Sequence, residues 1–418
     1  MNRWSTTLAA GLGLVLTTVV SAYPLDGYGD TGIRRLEGLR LAQQGVVRDV
    51  KQPPGAMLNL AQVQPRLIGQ TFDLPAPDAA FTQRMSGVLT GNMDAYGVAL
   101  LDLSDPAKPL YAEHRADHQQ NVGSVGKLVV ALALFQALAD LYPDDVEARR
   151  KVLKTTMITA DSFSQSDHHT VRMFDPASRT LTRRTVRIGD QATLYEWLDW
   201  MLSPSSNSAA GMVQREVMLL RHFGKAYPVP EDQIQRFFNE TSKGELSKLY
   251  AAAFHEPVTR NGLDIEHLRQ GSLFTAGGKA RVPGAGDSYG TARELMRYLL
   301  RLEQGRLVDV FSSTEIKRLI YLTEVRIRYA SSPALAQSAV YFKSGSLFQC
   351  APEPGFSCKP YAGNVKNFMN SATIVESPAA ERQLFYISTL VTNILRKNSA
   401  GEHQALATRL HGVVSAGR

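Results

Sequence analysis

The chain has 418 residues, 44% of them hydrophobic and 20% charged, with a formal net charge of +7. These are values of folded domains and exclude an intrinsically disordered chain, and the length predicts two or three domains. The basic residues are scattered, and their one short cluster, RTLTRRTVR at 179–187, has no interleaved aromatics; it reads as a solvated face and argues against a nucleic-acid partner.

In chain order, the opening MNRWSTTLAAGLGLVLTTVVSA (1–22) predicts a cleaved secretory signal. Arg3 supplies the positive start, Leu8 to Val20 the apolar stretch, and Val20, Ser21 and Ala22 the small-residue cleavage site. The apolar run falls short of the ~20 residues a membrane span needs, and no later segment reads as a span. The expected location is therefore the periplasm or the exterior, with no membrane span after cleavage. Removing the signal removes one charge, Arg3, and leaves +6.

Residues 23–80 read as an N-terminal extension. Ile33, Leu36, Leu39 and Leu41 recur at near-helical spacing with Gly45 as the stop, and a Pro-containing linker or packed arm follows. Two strands, 96–104 and 109–116, flank the turn DPAK and predict an antiparallel hairpin. An apolar helix follows at 125–140. From there to about 325 the apolar spacing is mostly helical, with capping boxes expected at Thr291/Glu294 and Ser312/Glu315, and a small hairpin within 170–189. Strands return at 338–348, 367–377 and 382–393, and a last helix closes the chain. Early strands thus pair with late ones around a helical insertion. The expected class is α+β: an antiparallel sheet flanked by helices, discontinuous in sequence, with an inserted mainly helical domain. The catalytic unit would span 81–418, its helical part about 128–325 and its α/β part 81–127 plus 326–418.

Three short motifs stand in order: Ser124-Val125-Gly126-Lys127 at the head of the apolar helix, Ser205-Ser206-Asn207 before another helix, and Lys343-Ser344-Gly345 on a strand. Residues at i and i+3 of a helix share a face, so Ser124 and Lys127 can meet. A lysine turned toward an apolar interior loses preference for its charged form and becomes a base. A serine at a helix start has backbone N–H groups aimed at developing negative charge.

Together the motifs resemble those of the penicillin-recognising serine hydrolases, the class A β-lactamases and low-molecular-mass penicillin-binding proteins, over residues 80 to 415. The resemblance implies a β-lactamase/transpeptidase-like fold and an acyl-serine mechanism without cofactor or metal. Ser124 would be the nucleophile and Lys127 its base. Ser205 would relay a proton to the leaving nitrogen, and Asn207 would bind the substrate amide. Lys343 and Ser344 would attract the substrate carboxylate, and Ser346, after Gly345, would supply the second oxyanion N–H. The family's Glu-x-x-Leu-Asn pattern is missing; Glu240, 33 residues after Asn207, and Glu231, 24 after it, are the candidates for the deacylating base. The 136 residues from Asn207 to Lys343 exceed the spacing of compact class A enzymes and indicate an insertion near the cleft.

The implied reaction is hydrolysis of β-lactams or related carboxylate-bearing amides. Alternatives are a D-alanyl-D-alanine carboxypeptidase or endopeptidase acting on peptidoglycan peptides, and a non-turnover β-lactam sensor or envelope module. Oligomeric state is left open. Cys350 and Cys358, eight residues apart in an exported chain, suggest one disulfide. Asp167, His168 and His169 read as a solvated loop with the two imidazoles pointing apart, not as a metal site.

Overall fold

The computed structural model describes residues 26–49, 51–324 and 326–417; the expected signal sequence lies outside them. Five strands form one fully antiparallel sheet: β1 (Tyr96–Asp102), β2 (Leu110–His114), β3 (Ala339–Gln349), β4 (Lys366–Ser377) and β5 (Leu384–Asn393). Their spatial order is β2-β1-β5-β4-β3, so the two strands before the helical block and the three after it make a single sheet. Alternation along each strand divides two cores. Ala99, Leu101, Ala339, Tyr341 and Ile374 face the helical block, whereas Val98, Leu100, Val340, Phe342 and Val375 face helices Ala79–Ser86 and Ser399–Ser415. The fold is thus α+β, an antiparallel sheet between helical layers.

Between β2 and β3 the chain is mainly helical, with the hairpin Thr170–Asp175/Thr180–Thr185 inserted. The helix Lys127–Leu141 runs through its centre with almost every side chain buried. Contrary to the expectation that no segment after the signal reads as a span, the stretch Gly123–Leu141 is long and apolar enough to cross a membrane; 78% of its apolar window is buried inside the protein, which accounts for its apolarity. One expected cap is displaced. Helix Val310–Tyr321 is capped by Asp309, whose carboxylate accepts from Ser312 N, so Ser312 falls inside the first turn. At Thr291 only half of the expected box forms, because the Glu294 carboxylate accepts instead from Asp264 N.

The N-terminal extension is a packed arm. Ile33, Leu36 and Leu39 join the main core, and Arg35 inserts beside them. Its guanidinium donates to both carboxylate oxygens of Asp199 at 2.6 Å and to Leu322 O at 2.7 Å. Cys350 and Cys358 form a disulfide closing the loop after β3.

Candidate active site

The three motifs meet beside the middle of β3, where Lys343, Ser344 and Gly345 stand. Ser124 lies in a 3-10 turn, Gly123–Gly126, one step before the α-helix that begins at Lys127. That turn sits against β3 only because Gly345 has no side chain: a Cβ there would lie 2.1 Å from Val122 O and 2.6 Å from Ser124 N. Gly123 adopts φ +55°, and a side chain on it would meet Ser346 N at 3.2 Å. These two glycines bring the backbone nitrogens of 124 and 346 to the same place. Ser205 is held at φ +66°, a region non-glycine residues seldom occupy, just before helix Asn207–Phe223.

Lys127 is fully buried, and its Nζ is the hub. It lies 2.9 Å from Ser124 Oγ and donates to Ser205 O at 2.6 Å and Asn207 Oδ1 at 2.7 Å. Phe274 places its ring 4.8 Å from the amine. Burial lowers the pKa of Lys127 to about 7, with Asp167 opposing and Arg328 reinforcing the shift. A neutral amine keeps two N–H bonds for the Ser205 and Asn207 oxygens and a lone pair for the Ser124 hydroxyl proton.

Lys343 Nζ donates to Ser205 Oγ at 2.7 Å and Ser344 O at 3.1 Å. Burial, with Lys127 and Arg328 nearby, holds its pKa well below the ordinary lysine value. Ser205 Oγ therefore accepts from Lys343 and lies 3.3 Å from Lys127 Nζ, which has a third N–H to give it once it has taken the Ser124 proton. With Lys343 donating to its oxygen, the Ser205 hydroxyl proton is directed elsewhere and can pass to a leaving group.

Arg328 carries no motif in the sequence. It donates to Ser344 Oγ at 2.8 Å and Ser346 Oγ at 3.0 Å, and stacks 5.0 Å from the Tyr361 ring. Arg328, Lys343 and Ser344 so form one cationic edge. Its distance in sequence from Lys343 leaves no local pattern to read.

The segment 167–170 departs from its expected place. His168, His169 and Thr170 line a cleft of about 300 Å³ together with Ser205, Lys343 and Ser344. The two imidazoles do not point apart; they stack at 4.4 Å with 28° between planes. Asp167 is buried beneath them and accepts from Ser206 Oγ at 2.8 Å and Ser208 N at 2.9 Å, which ties the segment to the loop carrying Ser205 and Asn207. The ligand atoms of Asp167, His168 and His169 lie within 4.8 Å of one another, but the carboxylate is already occupied by donors.

The glutamates expected near the nucleophile are placed elsewhere. Glu240 is exposed at the end of helix Glu231–Glu240 and borders a separate cavity with His222 and Phe237. Glu231 is exposed at the other end of that helix and accepts from Gln235. Beside the Ser124 turn stand Phe274 and Gln270, whose Oε1 would lie 2.2 Å from a Cβ on Gly126.

No protein-family model and no curated protein matches the chain by sequence. Solved structures do match its fold. A point mutant of PBP-A, solved as an acyl-enzyme complex with penicillin G, superposes with TM-score 0.52 at 14% identity, covering 82% of this chain and 98% of that one. PBP-A itself gives TM-score 0.48 at 14% identity, covering 83% and 98%. A β-lactamase from Sphaerobacter thermophilus gives 0.47 at 15% identity, covering 80% and 94%. With its antiparallel sheet, its inserted helical block and the match to the PBP-A mutant, the chain has the β-lactamase/transpeptidase-like fold of the penicillin-recognising serine hydrolases.

Proposed function

We propose that this protein is an exported serine hydrolase that opens the amide of β-lactams or related carboxylate-bearing substrates through an acyl-serine intermediate. The observation that carries this reading is the buried, deprotonatable Lys127 within 2.9 Å of Ser124 Oγ, with Ser205 bonded to both lysines. Ser124 Oγ attacks the carbonyl carbon and passes its proton to Lys127 Nζ. The oxyanion forms between the backbone N–H groups of Ser124 and Ser346. The C–N bond then breaks as Ser205 gives its proton to the leaving nitrogen and is reprotonated from the lysines. Lys343, Ser344 and Arg328 take the substrate carboxylate, and Asn207 takes its amide. Water later cleaves the ester and restores Ser124. The catalytic unit is residues 81–418, and the disulfide fits an oxidising compartment.

A second reading has its own support. Phe274 and Gln270 stand beside the Ser124–Lys127 turn, and neither can activate a deacylating water as a carboxylate does. A β-lactam ester would then persist, and the natural reaction would be D-alanyl-D-alanine carboxypeptidase or endopeptidase chemistry on peptidoglycan peptides. One experiment tests both readings. Fluorescent penicillin is expected to label wild type and not Ser124→Ala on a denaturing gel, and absence of label in the wild type overturns the acyl-serine mechanism. Loss of label within seconds supports the lactamase; label lasting hours, with turnover of a D-Ala-D-Ala peptide, supports the peptidase.

A further inference from the structure

The N-terminal arm is bonded to the loop that carries Ser205. Arg35 is buried in the first turn of the arm helix Arg34–Gln43. Besides holding Asp199 of helix Leu194–Leu202, its Nη2 donates to Ser203 Oγ at 3.1 Å and to Leu322 O at 2.7 Å. Ser203 Oγ donates to the same Leu322 carbonyl. One guanidinium thus joins three segments far apart in sequence: the arm, the end of the helix before Ser205, and the end of helix Val310–Tyr321.

Two of those segments run into the cleft beside Ser205. Residues 202–205 line it together with Lys343 and Ser344, and so do Thr323 and Glu324, which follow Leu322. Ser205 stands two residues after Ser203 at φ +66°, a conformation that a non-glycine residue keeps only where its surroundings fix it. After Ser205, Asp167 does this by accepting from Ser206 Oγ and Ser208 N. Before it, the bonds of Ser203 to Arg35 and Leu322 do the same.

We propose that Arg35 is a positioning residue for Ser205: by holding Ser203 it keeps the Ser205 hydroxyl where its proton reaches the leaving nitrogen. The arm, which carries none of the three motifs, is then part of the catalytic apparatus. The inference rests on the acyl-serine reading. Arg35 touches no reacting atom, so its effect falls on one event, the proton transfer from Ser205 that accompanies breaking of the C–N bond.

The test compares second-order acylation rate constants for a penicillin and for a carboxylate-bearing thioester. The penicillin nitrogen must take a proton to leave as an amine, whereas a thiolate leaves without one. The ratio of the two constants cancels the folded fraction and the activation of Ser124, which both substrates share. Ser205→Ala sets the scale and should lower the ratio about a hundredfold, as loss of a general acid does. Arg35→Lys keeps a charge beside Asp199 but lacks the fork that spans Asp199, Ser203 and Leu322, and should lower the ratio about tenfold. Ser203→Ala, which leaves no charge unpaired, should act by a similar factor. Arg66→Met removes a second ion pair of the arm, at Glu376 on β4, which retains Lys317, and should leave the ratio at the wild-type value. An unchanged ratio in Arg35→Lys or Ser203→Ala, or an equal fall in Arg66→Met, overturns the positioning role. Failure of both substrates to acylate the wild type, or a ratio unchanged in Ser205→Ala, is a different result: it removes the acyl-serine reading or its proton donor, and the role of Arg35 with it.

Discussion

Acylation should depend on pH through Lys127. An unperturbed lysine, with a pKa near 10.4, would be neutral in only about 4 molecules in 10,000 at pH 7. The buried Lys127, with its pKa at about 7, is neutral in half of them, a gain in available base of about a thousandfold. Between pH 6 and pH 8 its neutral fraction climbs from about one tenth to nine tenths, so acylation should increase about tenfold and then level off. Lys343, which burial also shifts down, acts on the same Ser205 hydroxyl, so the observed midpoint belongs to the pair. Lys127→Arg separates them: a guanidinium stays protonated throughout this range, and acylation should fall at least a hundredfold at every pH. The assay is stopped-flow acylation by a chromogenic cephalosporin from pH 5.5 to 9. A flat profile between pH 6 and 8, a midpoint above 9, or a Lys127→Arg variant that acylates at the wild-type rate would refute the assignment of Lys127 as base.

Three further outcomes follow from the same structure. Arg35→Met leaves Asp199 buried and uncompensated and should cost about 3–5 kcal/mol in urea unfolding; a change under 1 kcal/mol would mean the arm does not support the fold. His403 is fully buried between Ser371 and Thr392, and burial lowers its pKa to about 3, below the value of 6.5 in the unfolded chain. The unfolded state therefore binds more protons below pH 6.5, so stability falls as pH drops from 6.5 toward 3, by up to about 3 kcal/mol at pH 4; His403→Gln should flatten that part of the curve of unfolding free energy against pH. Glu240→Gln, on an exposed helix end, should leave the lifetime of the penicillin adduct unchanged, and a tenfold longer lifetime would return Glu240 to the mechanism.

The strand and helix order can be read from the sequence because the spacing of apolar residues is a local property, visible at three- and four-residue intervals in helices Glu231–Glu240 and Ala292–Glu303 and as unbroken apolar runs in β1 and the helix after Ser124. The Ser124–Lys127 pair is legible for the same reason, since three residues of helix bring both onto one face. Lys127 also announces its environment: a charged side chain at the mouth of eleven nearly continuous apolar residues has few places to go but inward. What lies beyond local reading is convergence. Arg328 has nothing in its neighbouring residues to set it apart, and only the return of the chain beside β3 places its guanidinium on Ser344 and Ser346.

Asp167 and His169 read as polar surface because hydrophilic side chains in a loop usually are. The burial of the Asp167 carboxylate depends on Ser206 and Ser208, some forty residues on, which satisfy it and make a buried acid tolerable. Conversely, Glu240 stands out by its spacing from Asn207, and spacing along a chain with an insertion does not fix distance in space. Sequence alone thus determined most of the elements and the Ser124–Lys127 contact, both set by interactions within one turn or one strand. Tertiary structure alone decided which charges share the cleft, because the free energy of a buried charge depends on partners that only the folded chain brings within reach.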